Sequence, residues 1–393
     1  MAFFECEILQ QVFLFGGPNP LNQISYRLSP MFFKNLLKKG SAYFGKRPVL
    51  DQAAIDTYRA TLLLRCQEWC SDQVGRHSQP SQKEVDMFYD EAQGMSEEEM
   101  NEFNKKRLNK QIIDLFSKVR VEMGSEYEGN ASLRQRLDVE SKLSDDTDVE
   151  EEEDTADDDD DDDEEEEDED DDSDAYGIGN VRTKALSRKG SLMRSVGFDL
   201  EKRQSNISSA GMGVFVNCDE SHVICAGTVI ALFPGLVHLQ EFTQQGEYIV
   251  KNLLPDDDLM LMARSDGHII DGRTADECAP NPYALAHLVN HVPQGEMPNV
   301  LQCPYDYPSD PLGMYEFPKS LRRYIPNSYA KKPTTFGTID RSAFMHGMVL
   351  VAARPLSKGD ELIMDYRLNP KAGQLPVWYH HYNDAEAKSR WSQ

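Results

Sequence analysis

Three small groups of residues carry types and spacings that suit chemistry at a ligand. Ser209-Ala210-Gly211-Met212-Gly213-Val214-Phe215 places two glycines one residue apart. Without Cβ atoms, Gly211 and Gly213 let the backbone turn tightly and come close to a bound molecule. Ala286-His287-Leu288-Val289-Asn290-His291 offers a carboxamide beside an imidazole, and Pro298-Asn299-Val300 follows it. The third group is Ala353-Arg354-Pro355-Leu356-Ser357-Lys358-Gly359-Asp360-Glu361-Leu362-Ile363-Met364-Asp365-Tyr366, which presents a phenol hydroxyl at the end of a strand. Lys358-Gly359-Asp360 is turn chemistry, and Leu362 and Met364 alternate with more polar neighbours, so the stretch reads as strand, turn and short second strand. Taken singly, each group is ordinary: a Gly-x-Gly is usually a turn, an Asn-His a helix end, an Asp-Tyr a surface turn.

The elements that must position these groups differ along the chain. From Ser195 onward, short apolar runs are bounded by turn residues: Gly213 to Val216, Thr228 to Phe233, Leu259 to Ala263 and Met348 to Ala352. Pro234-Gly235 and Asp266-Gly267 are strong turn dipeptides. Many short strands with little helix predict a mostly β fold of short sheets over 195–366, not a doubly wound sheet. Residues 51–143 read as helical. Ile55, Tyr58, Leu62 and Cys66 or Trp69 share a face, Ser96-Glu97-Glu98-Glu99 is a capping box, and Ile112, Leu115, Phe116 and Val119 continue the helical spacing. No chemistry is visible there, and the region reads as a helical module for docking or stability.

Composition separates the remaining parts. The 393 residues carry a formal charge of −27, but 25 acidic residues and no basic ones lie between Asp145 and Asp174, and without them the balance is −2. So many like charges cannot be packed, so 144–194 is expected to be a disordered linker. Its acidic part repels nucleic acid, so no direct nucleic-acid binding is expected there, and it suits basic proteins. Its end turns basic, with Arg182, Lys184, Arg188, Lys189 and Arg194. Lys184 or Lys189 would be candidates for self-modification, and Ser191 for a basophilic kinase. Residues 1–50 form a basic arm with no acid between Glu7 and Asp51. They bear a partial likeness to a mitochondrial transit peptide. Seven widely spaced cysteines and no secretory signal point to reduced thiols inside a cell: nucleus, cytoplasm or mitochondrion. No apolar run reaches membrane length, so no membrane association is expected.

The word Gly359-Asp360-Glu361-Leu362-x-x-Asp365-Tyr366 behind an Ala-x-Arg strand resembles the closing motif of the SET domain, the fold of most protein lysine methyltransferases. Four further segments match that family in order: Gly211 to Phe215, Leu232-Phe233-Pro234-Gly235, the hairpin Asp266 to Gly272, and Asn290-His291 with Pro298-Asn299. The likeness is to a divergent branch. His287 stands where the family has arginine, Val292-Pro293 replaces Ser-Cys, and the loop to Pro298 carries three extra residues. The resemblance implies S-adenosylmethionine as cofactor, bound by Gly211, Met212, Gly213, Asn290, His291 and Tyr366, with Tyr366 as the catalytic residue. It implies a protein substrate with an accessible lysine. Most such enzymes close the lysine channel with a zinc-bound cysteine cluster after the tyrosine. Here no cysteine follows Cys303, so no metal is expected. The tail 367–393 contains Pro376-Val377-Trp378-Tyr379-His380-His381-Tyr382, which would either cover the site as an apolar lid or anchor the C-terminus. The alternative to an enzyme is a degenerate SET module that binds partners without catalysis, with the acidic tract holding basic proteins.

Overall fold

The computed structural model describes residues 52–73, 80–143, 192–240, 260–309, 317–331, 343–369 and 375–391, with side chains of the long helix described to Met123. The basic arm, most of the acidic-to-basic linker, Lys184, Lys189 and Ser191 lie outside the described residues. Among the described residues three helices, α1 (Gln52–Asp72), α2 (Gln82–Gly94) and α3 (Glu97–Leu143), precede the strands. The capping box forms as the residue types demand. The Ser96 N–H donates to Glu99 Oε2 at 2.7 Å, and the Glu99 N–H donates to Ser96 Oγ at 3.2 Å.

Among the described residues the strands make four small sheets. β1 (Phe198–Gln204) pairs antiparallel with β2 (Met212–Cys218). β3 (Val229–Leu232) and β8 (Val300–Pro308) flank β10 (Ala343–Ala352), so that Val349 stands opposite both Leu232 and Cys303. β5 (Leu261–Ala263), β6 (Ile269–Asp271), β4 (Gly235–His238) and β9 (Asn327–Tyr329) form a four-stranded sheet in that order. The last pair is β7 (Asn290–His291) and β11 (Ile363–Met364), each two residues long and running parallel.

The strand, turn and short second strand read before Tyr366 are present as β10, the turn at Gly359 and β11. The pairing partner of β11 is distant β7. α1 buries more than the face carrying Ile55, Tyr58, Leu62 and Cys66. Ala54, Ile55, Tyr58, Ala60, Leu62, Leu63, Leu64 and Cys66 are all buried, on more than one face. The reason is its place: α1 packs against α2 and α3 on one side and β8 on the other.

The helices are therefore docked on the sheets. Phe116 of α3 meets Phe317 edge-on at 5.8 Å and Tyr307 at 6.2 Å, and Tyr307 meets Phe317 at 5.1 Å. Each such pair adds about 0.5–1.5 kcal/mol beyond its burial. Gln111 of α3 clamps the turn before β3. Its amide donates to Gly227 O at 3.0 Å and its carbonyl accepts from Val229 N at 2.8 Å.

Candidate active site

The β7–β11 crossing brings the three groups together. The segment through β11 is held on two sides. The Leu362 N–H donates to Val214 O at 2.8 Å, joining it to β2, and the Val292 N–H donates to Met364 O at 2.9 Å, joining it to β7. Asn299 locks the crossing. It is 1 % exposed; its amide donates to Glu361 O at 2.7 Å and its carbonyl accepts from Ile363 N at 2.8 Å. The extra residues after His291 leave this lock intact. They are taken up in a turn in which Glu296 N–H donates to Pro293 O and Gly295 sits at φ 83°. The chain then returns at Asn299.

On one side of the crossing lies the glycine turn. Gly211 has φ +73° and open space where a side chain would stand. Met212 is 40 % exposed. A Cβ at Gly213 would press on the Glu361 carboxylate and approach Asn290 Nδ2. Asn290 Nδ2 donates to Met212 O at 3.0 Å and lies 3.3 Å from Glu361 Oε1. The Glu361 carboxylate also accepts from Ser205 Oγ at 2.5 Å and Asn206 N at 2.8 Å. Glu361 and Ser205 escaped the sequence reading of the site. Glu361 lies inside the Gly-Asp-Glu-Leu word but nothing in its spacing marks it as facing the turn.

On the other side stand His291 and Tyr366, with ring centroids 5.3 Å apart. Tyr366 Oη donates to Val289 O at 3.0 Å. Burial pushes its hydroxyl up to about 12, against a smaller lowering from its contact with His291. Both ring nitrogens of His291 are used within the protein: Nδ1 accepts from Tyr366 N at 3.2 Å, and Nε2 faces His380 O at 2.8 Å. That pattern fixes the neutral tautomer with its proton on Nε2, and burial lowers the ring's pKa accordingly. His291 thus ties the Tyr366 backbone to the C-terminal segment.

His287 does not replace the charge of an arginine. It packs edge-on to Phe233 at 6.5 Å, and burial first, then Lys202, brings it down to about 4. It is neutral at neutral pH.

The aromatic tail divides its work. Tyr379 is 7 % exposed, stacks on His291 at 4.5 Å, and accepts from Leu368 N at 3.0 Å, so it anchors. Trp378 stays half exposed and stands perpendicular to the Tyr366 ring at 6.2 Å. After it, α4 (Asp384–Arg390) docks on α1 through a bidentate Arg59–Glu386 pair at 2.9 Å on each arm. Burial alone would raise the Glu386 carboxyl; hydrogen bonds and charge from Arg59 override this and bring it down to about 2. A carboxyl depressed on folding stabilises fully above its unfolded value near 4.5 and loses that contribution as pH falls through about 2. The shift corresponds to about 3 kcal/mol. We expect the melting temperature to fall between pH 4.5 and 2, and Glu386→Gln to flatten that slope.

Tyr366 also opens onto a cleft of about 820 Å³ between α1, the start of α3 and the strands, lined by Asp56, Phe233, Met262, Gln302, Met364 and Arg367 among others. Three of its acids are paired with the chain's own arginines: Asp56 with Arg367, and Asp266 and Asp306 with Arg264. Among the described residues, no three His, Cys, Asp or Glu side chains are grouped to hold a metal, and no helix is long and apolar enough to cross a membrane.

No family model matches the chain. Human SET domain-containing protein 9 is 26 % identical over 203 residues, covering 44 % of this chain and 60 % of that protein. The protein of the same description from Pongo abelii is 26 % identical over 203 residues, covering 44 % of this chain and 66 % of its own length. The match thus spans under two thirds of each relative. A solved SET8 protein from Cryptosporidium is 14 % identical, covering 52 % of this chain and 70 % of its own, with a TM-score of 0.22, a superposition too slight to carry an argument. The ordered motifs, the small sheets and the curated relatives together support a divergent SET-domain protein.

Proposed function

We propose that the chain is an S-adenosylmethionine-dependent protein methyltransferase acting on lysine side chains. The observation that carries this is the crossing of β7 and β11, which sets the glycine turn and Asn290 on one side and the Tyr366 hydroxyl on the other. The residues present fit the cofactor. Gly211 leaves open space, and the Glu361 carboxylate, to which the Asn290 amide donates, is an acceptor beside that turn for an amino group. When bound, S-adenosylmethionine would supply an electrophilic methyl group on a sulfonium.

The chain's own residues orient and exclude water. Tyr366 Oη spends its proton on Val289 O, which leaves its lone pairs for a partly positive carbon or an ammonium. With its pKa pushed up to about 12, the hydroxyl stays protonated at neutral pH and acts by orientation, not as a base. The apolar wall of Phe233, Met262 and Met364 favours an uncharged lysine amine over its ammonium form.

With Asp56, Asp266 and Asp306 of the cleft already paired, recognition of a basic protein would fall mainly to the acidic tract. Deleting residues 144–175 should then weaken binding of basic proteins while leaving transfer to a short lysine peptide unchanged. The alternative, a partner-binding module without catalysis, is favoured by the neutral His287 in place of arginine. Incubating the full chain with labelled S-adenosylmethionine and a protein extract separates the two. Labelled protein bands are expected; their absence, with the chain folded, supports the non-catalytic module.

A further inference from the structure

The reading that the N-terminal helices serve only docking or stability omits what α1 does beside Tyr366. We propose that Asp56 and Arg367 form a positioning pair, through which α1 holds the segment after the tyrosine in place. This rests on the methyl-transfer reading above.

The residue after Tyr366 is Arg367, at φ 57°, the left-handed region that a side chain with a Cβ rarely adopts. Such a conformation persists where its surroundings impose it. Here Asp56 of α1 accepts both arms of the Arg367 guanidinium, at 2.6 and 2.9 Å. Burial opposes the charge on Arg367, but Asp56 outweighs it and keeps the guanidinium ionised. Such a fork fixes direction as well as distance. The Arg367 N–H donates to Asp365 Oδ1 at 3.0 Å, which carries the restraint back across the tyrosine.

The residue before the tyrosine is held by other means. Asp365 O accepts from Gln302 at 3.0 Å, and its carboxylate lies 3.9 Å from Arg390 of α4. Arg390 in turn donates to Gln52, the first residue of α1, at 2.8 Å. The backbone on both sides of Tyr366 is therefore referred to α1.

The pair is separable from the fold. Docking of the helices rests on apolar contacts such as Leu62, Leu63, Leu64 and Phe116, all fully buried. The Arg367 and Asp56 side chains keep 20 % and 14 % of their exposure and line the cleft with Tyr366, so the loss of one charge leaves the other in reach of water.

Asp56→Asn in the full chain is the test, with Asp56→Glu as the conservative variant. Hydrogen exchange reads position without needing activity. The amides of Tyr366, Arg367 and Leu368 should exchange at least about tenfold faster in Asp56→Asn, with β3, β8 and β10 unchanged and protection largely regained in Asp56→Glu. In methyl transfer, kcat should fall about 10- to 100-fold with the KM for S-adenosylmethionine held within about twofold, a range set by misplacement of reacting groups. Unchanged exchange at residues 366–368 overturns the proposal. So does activity lost only in step with melting temperature, or exchange raised equally in all strands. A wild type that transfers no methyl group while showing the exchange pattern defeats the methyl-transfer reading and leaves the positioning geometry standing.

Discussion

Tyr366→Phe is expected to lower methyl transfer by roughly 10²- to 10³-fold, the loss typical of removing one preorganised polar group from a reacting centre. The change removes only the hydroxyl. The ring keeps its contacts with His291 at 5.3 Å and Trp378 at 6.2 Å, and the backbone N–H keeps its bond to His291 Nδ1. The loss should therefore appear in kcat, with cofactor affinity within about twofold, as for an interaction made in the transition state alone. Since the hydroxyl is pushed up to about 12, the wild-type rate should show no break near neutral pH that Phe removes. Rate profiles from pH 6 to 9 for both proteins check this; a break lost with the hydroxyl would make Tyr366 a titrating base instead.

The largest expected effect on stability is at Asn299. Asn299→Ala strands the partly buried Glu361 carbonyl and the buried Ile363 N–H at the β7–β11 crossing. An unsatisfied buried polar group costs about 1–3 kcal/mol, so the variant should lose about 3–4 kcal/mol. Urea unfolding measures it. The crossing also sets the glycine turn against Asn290, so cofactor affinity should fall together with stability, unlike in Tyr366→Phe. A loss under about 1 kcal/mol would mean that β11 is held chiefly by its bonds to Val214 and Val292.

What was legible in the sequence follows the range of the interactions. The strands over Gly213 to Val216, Thr228 to Phe233 and Met348 to Ala352 were visible because apolar runs between turn residues are local signals. The turns at Gly267 and Gly359 were visible for the same reason, and both glycines take positive φ. The β7–β11 pairing was not, because two-residue strands have no periodicity and their partners are 73 positions apart. At the site, Gly211, Met212, Gly213 and Asn290 do meet, and His291 and Tyr366 stand together next to them. Residue types alone could not say that both nitrogens of His291 serve the protein itself. Nor could helical spacing say that Asp56 and Arg59 of α1 face Arg367 and Glu386 more than 300 residues away. That information lies in how the helices dock, which no local pattern records.

The account depends on the glycine turn and the β7–β11 crossing holding S-adenosylmethionine beside Tyr366. The most direct measurement is a calorimetric titration of the full chain with S-adenosylmethionine, repeated on Gly213→Val. Saturable binding of one equivalent to the wild type, lost in a folded Gly213→Val protein whose new side chain would collide with Glu361, is the predicted result. No heat of binding to a folded wild type, or equal binding by both proteins, would contradict it.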